Sequence, residues 1–172
     1  MTTTQTAIPV ANPSPLLDGR ALRAALSGGL IGGAFDLTYA CIMVYALRGI
    51  GPERVFQSVA SGWLGKAAFT AGWQAAVLGF VSHFFIVCVF ALIYVMASRR
   101  ITVLARQPVV FGALYGAGIF FVMNFIVVPL SNASMRPRSL DLLTVVELLV
   151  HMFLIGVTIA LFARRAGSAR QR

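Results

Sequence analysis

Four stretches of this chain, residues 22–47, 73–97, 108–130 and 140–162, are each apolar enough and long enough to form a helix about 30 Å in length, the thickness of a bilayer's hydrocarbon core. No pattern of roughly ten-residue alternating strands competes with them, and open strands would leave unpaired backbone groups in lipid. The runs therefore predict an all-α integral membrane protein built as a bundle of four transmembrane helices. Composition agrees: 59% of the residues are hydrophobic and 11% charged, against about a quarter charged in an ordinary soluble domain. The mean hydropathy is +0.86.

The net charge of +9 is a topology signal, because the basic residues cluster between the apolar runs instead of forming a stripe on a soluble scaffold. Nucleic acid is not an expected partner; the lipid bilayer is. Arg20, Arg23, Arg99, Arg100, Arg106, Arg164, Arg165, Arg170 and Arg172 fall on one side, and Arg48, Arg54, Lys66, Arg136 and Arg138 on the other. The richer side is expected to be cytoplasmic, with both termini there. Residues 1–20, with three prolines and no apolar core of a signal peptide, read as a disordered tail, which leaves the first span to act as an uncleaved anchor. The membrane domain then covers 21–165 and a basic tail 166–172. Cys41 and Cys88 lie in apolar runs at different depths and are not expected to pair.

Between the first two spans, Pro52 and Glu53 suit a helix start and Gly65 its end, with Val55, Phe56, Val59, Trp63 and Leu64 on one face. This segment predicts a short amphipathic helix in the interface, either a plain connector or a lid over the bundle mouth. Its Ser58 and Ser61 carry no nucleophile-elbow pattern, and no enzyme is expected.

HFFIVCVFALIY (83–94) matches HMFLIGVTIALF (151–162) in character, and an Arg pair follows each. The first and third spans share GxxxG motifs, Gly28 with Gly32 and Gly112 with Gly116. Two duplicated helix hairpins, related by an axis along the membrane normal, would explain both likenesses. The glycines themselves predict close packing of helix backbones against neighbours, or a homo-oligomer face.

Asp36, His83, Asn124, Glu147 and His151 lie well inside the spans, where an unpaired charge costs about 2.5–3.5 kcal/mol. Their depths agree, in a slab between mid-membrane and the outer third, and the periodicity of each helix turns them inward. They predict one buried polar cluster with three possible uses. It pins helix register through hydrogen bonds; or it moves protons or small ions, since Glu147 and His151 lie one turn apart; or His83 and His151, at equivalent repeat positions, ligate a haem or, with Asp36 and Glu147, a metal. The last use would suit an accessory subunit of a larger membrane complex.

GGLIGGAFDL, GPERVFQSVASG, LGFVSHFF and FGALYGAGIFFVMNFIVVPLS together make the chain resemble YagU-like small bacterial inner-membrane proteins. The resemblance spans residues 25–135 and implies a bacterial cytoplasmic-membrane location and a four-span fold. It implies no activity and no catalytic residue.

Overall fold

The computed structural model describes residues 17–133 and 141–168. Residues 1–16 of the expected 1–20 tail and the positions of Arg136, Arg138, Arg170 and Arg172 lie outside these, while Asp18, Gly19 and Arg20 of that tail cap and begin the first helix. All regular structure among the described residues is helical. Four helices are long and apolar enough to cross a membrane: α1 (Gly19–Arg48), α3 (Gly72–Arg100), α5 (Pro108–Leu130) and α6 (Leu142–Gly167). Two short helices, α2 (Pro52–Leu64) and α4 (Thr102–Arg106), join them.

Local chemistry sets the ends. Asp18 caps α1, its carboxylate accepting from Arg20 N at 3.0 Å and Ala21 N at 2.8 Å. Gly49 closes the helix in the left-handed region at φ 65°. Pro52 and Pro108 stand in the first turns of α2 and α5, and Asp141 caps α6 by accepting from Thr144 N at 2.9 Å. These devices extend the expected spans by a few residues and otherwise leave them in place.

Packing depends on helices approaching closely through glycine. A Cβ on Gly116 would collide with the His151 carbonyl, and one on Gly156 with the Gly112 carbonyl, so α5 and α6 meet backbone to backbone. Gly28 and Gly32 place α1 against α6, beside Ile159, Phe162 and Ile155. The neighbouring pair, Gly29 and Gly33, places α1 against α3, beside Cys88 and Phe84. Both expected GxxxG motifs therefore serve contacts within the chain, and both meet α6.

At one end a buried core of Ala21, Ala25, Ala91, Tyr94, Val95, Ile159 and Ala163 joins the start of α1 to the ends of α3 and α6. There Arg99 pairs with Asp18 at 2.6 Å. This end carries Arg20, Arg23, Arg99, Arg100, Arg106, Arg164 and Arg165, and α2 lies at the other. Helix α2 is seated on α3, where a Cβ on Gly79 would strike the Phe56 carbonyl. The face it buries is Val55, Gln57, Ala60 and Ser61. That corrects the expected apolar face, because Trp63 and Leu64 turn outward, at 63% and 43% exposure. Small side chains are what allow α2 to come this near to α3.

Gly116→Ala and Gly156→Ala should each destabilise the fold by about 1–3 kcal/mol through overpacking, whereas Gly118→Ala, with open space around it, should be neutral or slightly stabilising. Thermal midpoints of the purified variants check this. A second expectation concerns acid. The Arg99 guanidinium beside Asp18, helped by the Ala21 N–H, holds its carboxyl down at about 2 against an ordinary 3.8. A depressed folded-state value means the pair's contribution is complete above 3.8 and is lost as pH falls toward 2. Asp18→Asn should therefore flatten the loss of stability across that window, and an unchanged acid profile would show that the pair contributes nothing.

Candidate functional site

The five polar residues expected inside the bundle all line one cavity of about 200 Å³, together with residues from α1, α2, α3, α5 and α6. They are not buried, however, which corrects the expectation of a buried cluster. Side-chain exposures are 16% for Asp36, 12% for His83 and 18% for His151, while the buried polar residues among the described ones are Gln57, Ser61, Ser82 and Ser98.

The cavity follows from an asymmetry between the two hairpins. Gly29 faces Cys88 and Gly33 faces His83 in α1 and α3; in the same way Gly112 faces Gly156 and Gly116 faces His151 in α5 and α6. In this correspondence Gly32, three residues after Gly29, matches Tyr115, three residues after Gly112. Gly32 lets α1 close on α6. Tyr115 instead inserts a ring between α5 and α3, its centroid 4.9 Å from that of Tyr94 and inclined to it at 57°, with its hydroxyl donating to the Phe90 carbonyl at 2.7 Å. Beyond this wedge, Ile86 and Val87 of α3 and Met123 and Val128 of α5 form facing walls, and the polar groups stand between them.

Asp36 is the centre of the site. Its Oδ2 is 3.9 Å from His83 Nε2 and its Oδ1 is 3.9 Å from His151 Nδ1. One carboxyl group is thus shared by imidazoles from two different helices, one per oxygen. Each of those ring nitrogens also meets a main-chain carbonyl, His83 Nε2 that of Gly33 at 3.0 Å and His151 Nδ1 that of Glu147 at 2.9 Å. A carbonyl only accepts, so both nitrogens carry their proton. A shift of about 1 Å would bring the carboxyl group within hydrogen-bonding range of either. The two imidazoles therefore face one carboxyl group, each at its own oxygen.

Two widened turns aim the remaining groups. Residues Met123–Val127 of α5 and His151–Val157 of α6 are π-helical. In α5 the cause is Pro129, which lacks an N–H and whose ring presses on the carbonyl one turn back. In each turn a side chain donates back four residues to a main-chain carbonyl: Asn124 Nδ2 to Phe120 at 2.9 Å, and His151 Nδ1 to Glu147. Such turns recur at functional sites.

Among the described residues no group of three or more His, Cys, Asp and Glu side chains is placed to hold a metal ion. The inward nitrogens of His83 and His151 face carbonyls, and the cavity is smaller than the about 300–1,000 Å³ that houses larger ligands.

Helix α2, expected from sequence as a plain connector or a lid, takes part in the site. Val59 lines the cavity, and Trp63 Nε1 donates to Ser82 Oγ, next to His83, at 3.1 Å. The end of α2 is tied to the end of α5, with Asn132 N donating to the Gly62 carbonyl and Asn132 Nδ2 to that of Trp63. Buried Gln57 donates to Glu53 and to the Gly72 carbonyl. Helix α2 thus bridges α3 and the end of α5. Gln57, polar in the middle of an apolar face, was the available signal.

The chain contains two histidines, which makes the shared carboxyl group directly testable. In protein labelled with ¹⁵N-histidine, Asp36→Asn should displace the imidazole resonances of both His83 and His151. Displacement of only one would refute the shared geometry.

No protein-family model, no curated protein and no solved structure matches this chain.

Proposed function

We propose that the chain is a four-span membrane protein in which Asp36, His83 and His151 form a proton-exchange site, reached through the cavity and serving proton or small-cation movement without enzymatic chemistry. The membrane reading is supported by the exterior of the bundle. Leu22, Ile42, Phe85, Ile93, Phe125 and Leu142 are among many large apolar side chains that point outward, whereas a soluble monomer tolerates only a few hundred Å² of contiguous apolar surface. The arginine-rich end faces the cytoplasm by the positive-inside rule, and the resemblance to YagU-like proteins points to the bacterial inner membrane. The recurrence of Gly33 on His83 and Gly116 on His151 favours two copies of one helix hairpin.

The observation that carries the function is the single carboxyl group within 3.9 Å of two imidazoles in an open cavity. His83 Nε2 pins α3 to α1 through the Gly33 carbonyl, whereas the carboxyl oxygens of Asp36 stand beyond hydrogen-bonding distance of both rings, close enough for charge to couple and loose enough for a proton to change hands. Histidine is the side chain suited to this near neutral pH, and Glu147 and Asn124 supply further polar surface for water in the same cavity.

Purified protein in liposomes loaded with a pH-sensitive dye, under an imposed potassium diffusion potential, tests the proposal. Wild type should conduct protons above the level of empty liposomes. Asp36→Asn should reduce that flux by about a hundredfold or more, as expected for removal of a proton-transfer group. Wild-type flux in a folded Asp36→Asn variant would leave the site a structural one.

A further inference from the structure

We infer that the Tyr94–Tyr115 layer is the barrier that closes the Asp36 site from the arginine-rich face, so that the site exchanges with the α2 face alone until this layer parts. The inference rests on the proton-exchange reading, but its test does not use proton flux.

A group that moves ions across a bundle must be reachable from both faces, though not from both at once. In this molecule the two ways out of the cavity differ in construction. Toward α2, the cover is one short helix held to α5 by the two Asn132 bonds and to α3 by the Trp63–Ser82 bond, and Trp63 is itself 63% exposed. Toward the arginine-rich end, Phe90 and Ile119 form the last of the cavity wall. Immediately beyond, the Tyr115 hydroxyl holds the Phe90 carbonyl, and the Tyr94 ring, 1% exposed, lies at 4.9 Å from the Tyr115 ring. Below them Ala91, Val95 and Ile159 are almost fully buried, leaving water no route through close-packed side chains.

The barrier is built to part and not only to fill space. Both tyrosine hydroxyls donate to main-chain carbonyls on another element, Tyr115 to Phe90 of α3 and Tyr94 to Leu104 of α4 at 3.1 Å. The tyrosine pair is therefore latched by two hydrogen bonds across two interfaces. Moving α4 or tilting α5 breaks a latch without unfolding a helix. Gly32, which corresponds to Tyr115 in the first hairpin, forms no such layer; α1 and α6 meet there directly. The tyrosine is thus what distinguishes the openable interface from the closed one.

The test places a reporter in the cavity. In a chain carrying Cys41→Ala, Cys88→Ala and Ile86→Cys, a membrane-impermeant methanethiosulfonate reagent is applied to membrane vesicles of each orientation. The reagent should label the chain from the α2 face and not from the arginine-rich face. Adding Tyr115→Ala should gain labelling from the second face and retain it from the first. Equal labelling of the parent from both faces overturns the barrier, and that comparison requires no tyrosine variant to fold. Labelling unchanged by Tyr115→Ala, or lost from both faces, also overturns it. One-sided labelling in a protein that moves no protons would instead defeat the proton reading and leave the barrier standing.

Discussion

Everything in this bundle depends on how closely α6 lets its neighbours approach. Gly156 meets Gly112 and Gly116 backbone to backbone, and Gly28 and Gly32 bring α1 onto the opposite flank of the same helix. Dispersion between closely packed atoms is the principal attraction available to helices surrounded by hydrocarbon, because lipid tails are as apolar as the side chains they would replace. With α6 clasped between α1 and α5, and α3 held on α1 by Gly29 and Gly33, one interface remains loose, that of α3 with α5. The cavity is the consequence of that single unmatched pair.

The position of the titratable groups follows from the same packing. His83 meets Gly33 through its ring and His151 meets Gly116 through its backbone, so each hairpin places a histidine at the second glycine of a close-approach motif. Asp36 lies one turn beyond Gly33 on α1 and stands 3.9 Å from both rings. The site is nearly symmetric in its imidazoles and asymmetric in its carboxyl group, since the residue that corresponds to Asp36 in the second hairpin is Ile119, on the cavity wall. A single carboxyl group thus faces two imidazoles at once, one at each oxygen. The π turns contribute by aiming Asn124 and His151 inward, and their side chains satisfy main-chain carbonyls at the widened turns.

Much of this was legible in residue order. The apolar runs set helix number and length, the intramembrane polar residues announced themselves by their cost, and their depths placed them in one layer. Other features were not legible for definite reasons. Glycine spacing says that a helix packs closely but not onto which partner, and the adjacent pairs in GGLIGG serve α6 and α3 separately. Sequence resemblance aligned Gly28 and Gly32 with Gly112 and Gly116, while the contacts align Gly29 and Gly33 with them. The apolar stripe of α2 was read as its buried face, but α3 presents Gly79 to it, and close approach favours Ala60 and Ser61 over Trp63.

By itself, then, the sequence determined an all-helical chain with four helices long and apolar enough to cross a membrane, and an inward layer of Asp36, His83, Asn124, Glu147 and His151. Backbone hydrogen bonding in an apolar setting leaves few alternatives. Only the tertiary structure decided that Asp36 is the hub, that the layer lines a cavity and is not sealed within the core, and that no metal-ligand set forms among the described residues. Those outcomes turn on shifts of a few ångströms between helices, set by where a tyrosine stands in place of a glycine, and no periodicity along one chain encodes the distance between two helices.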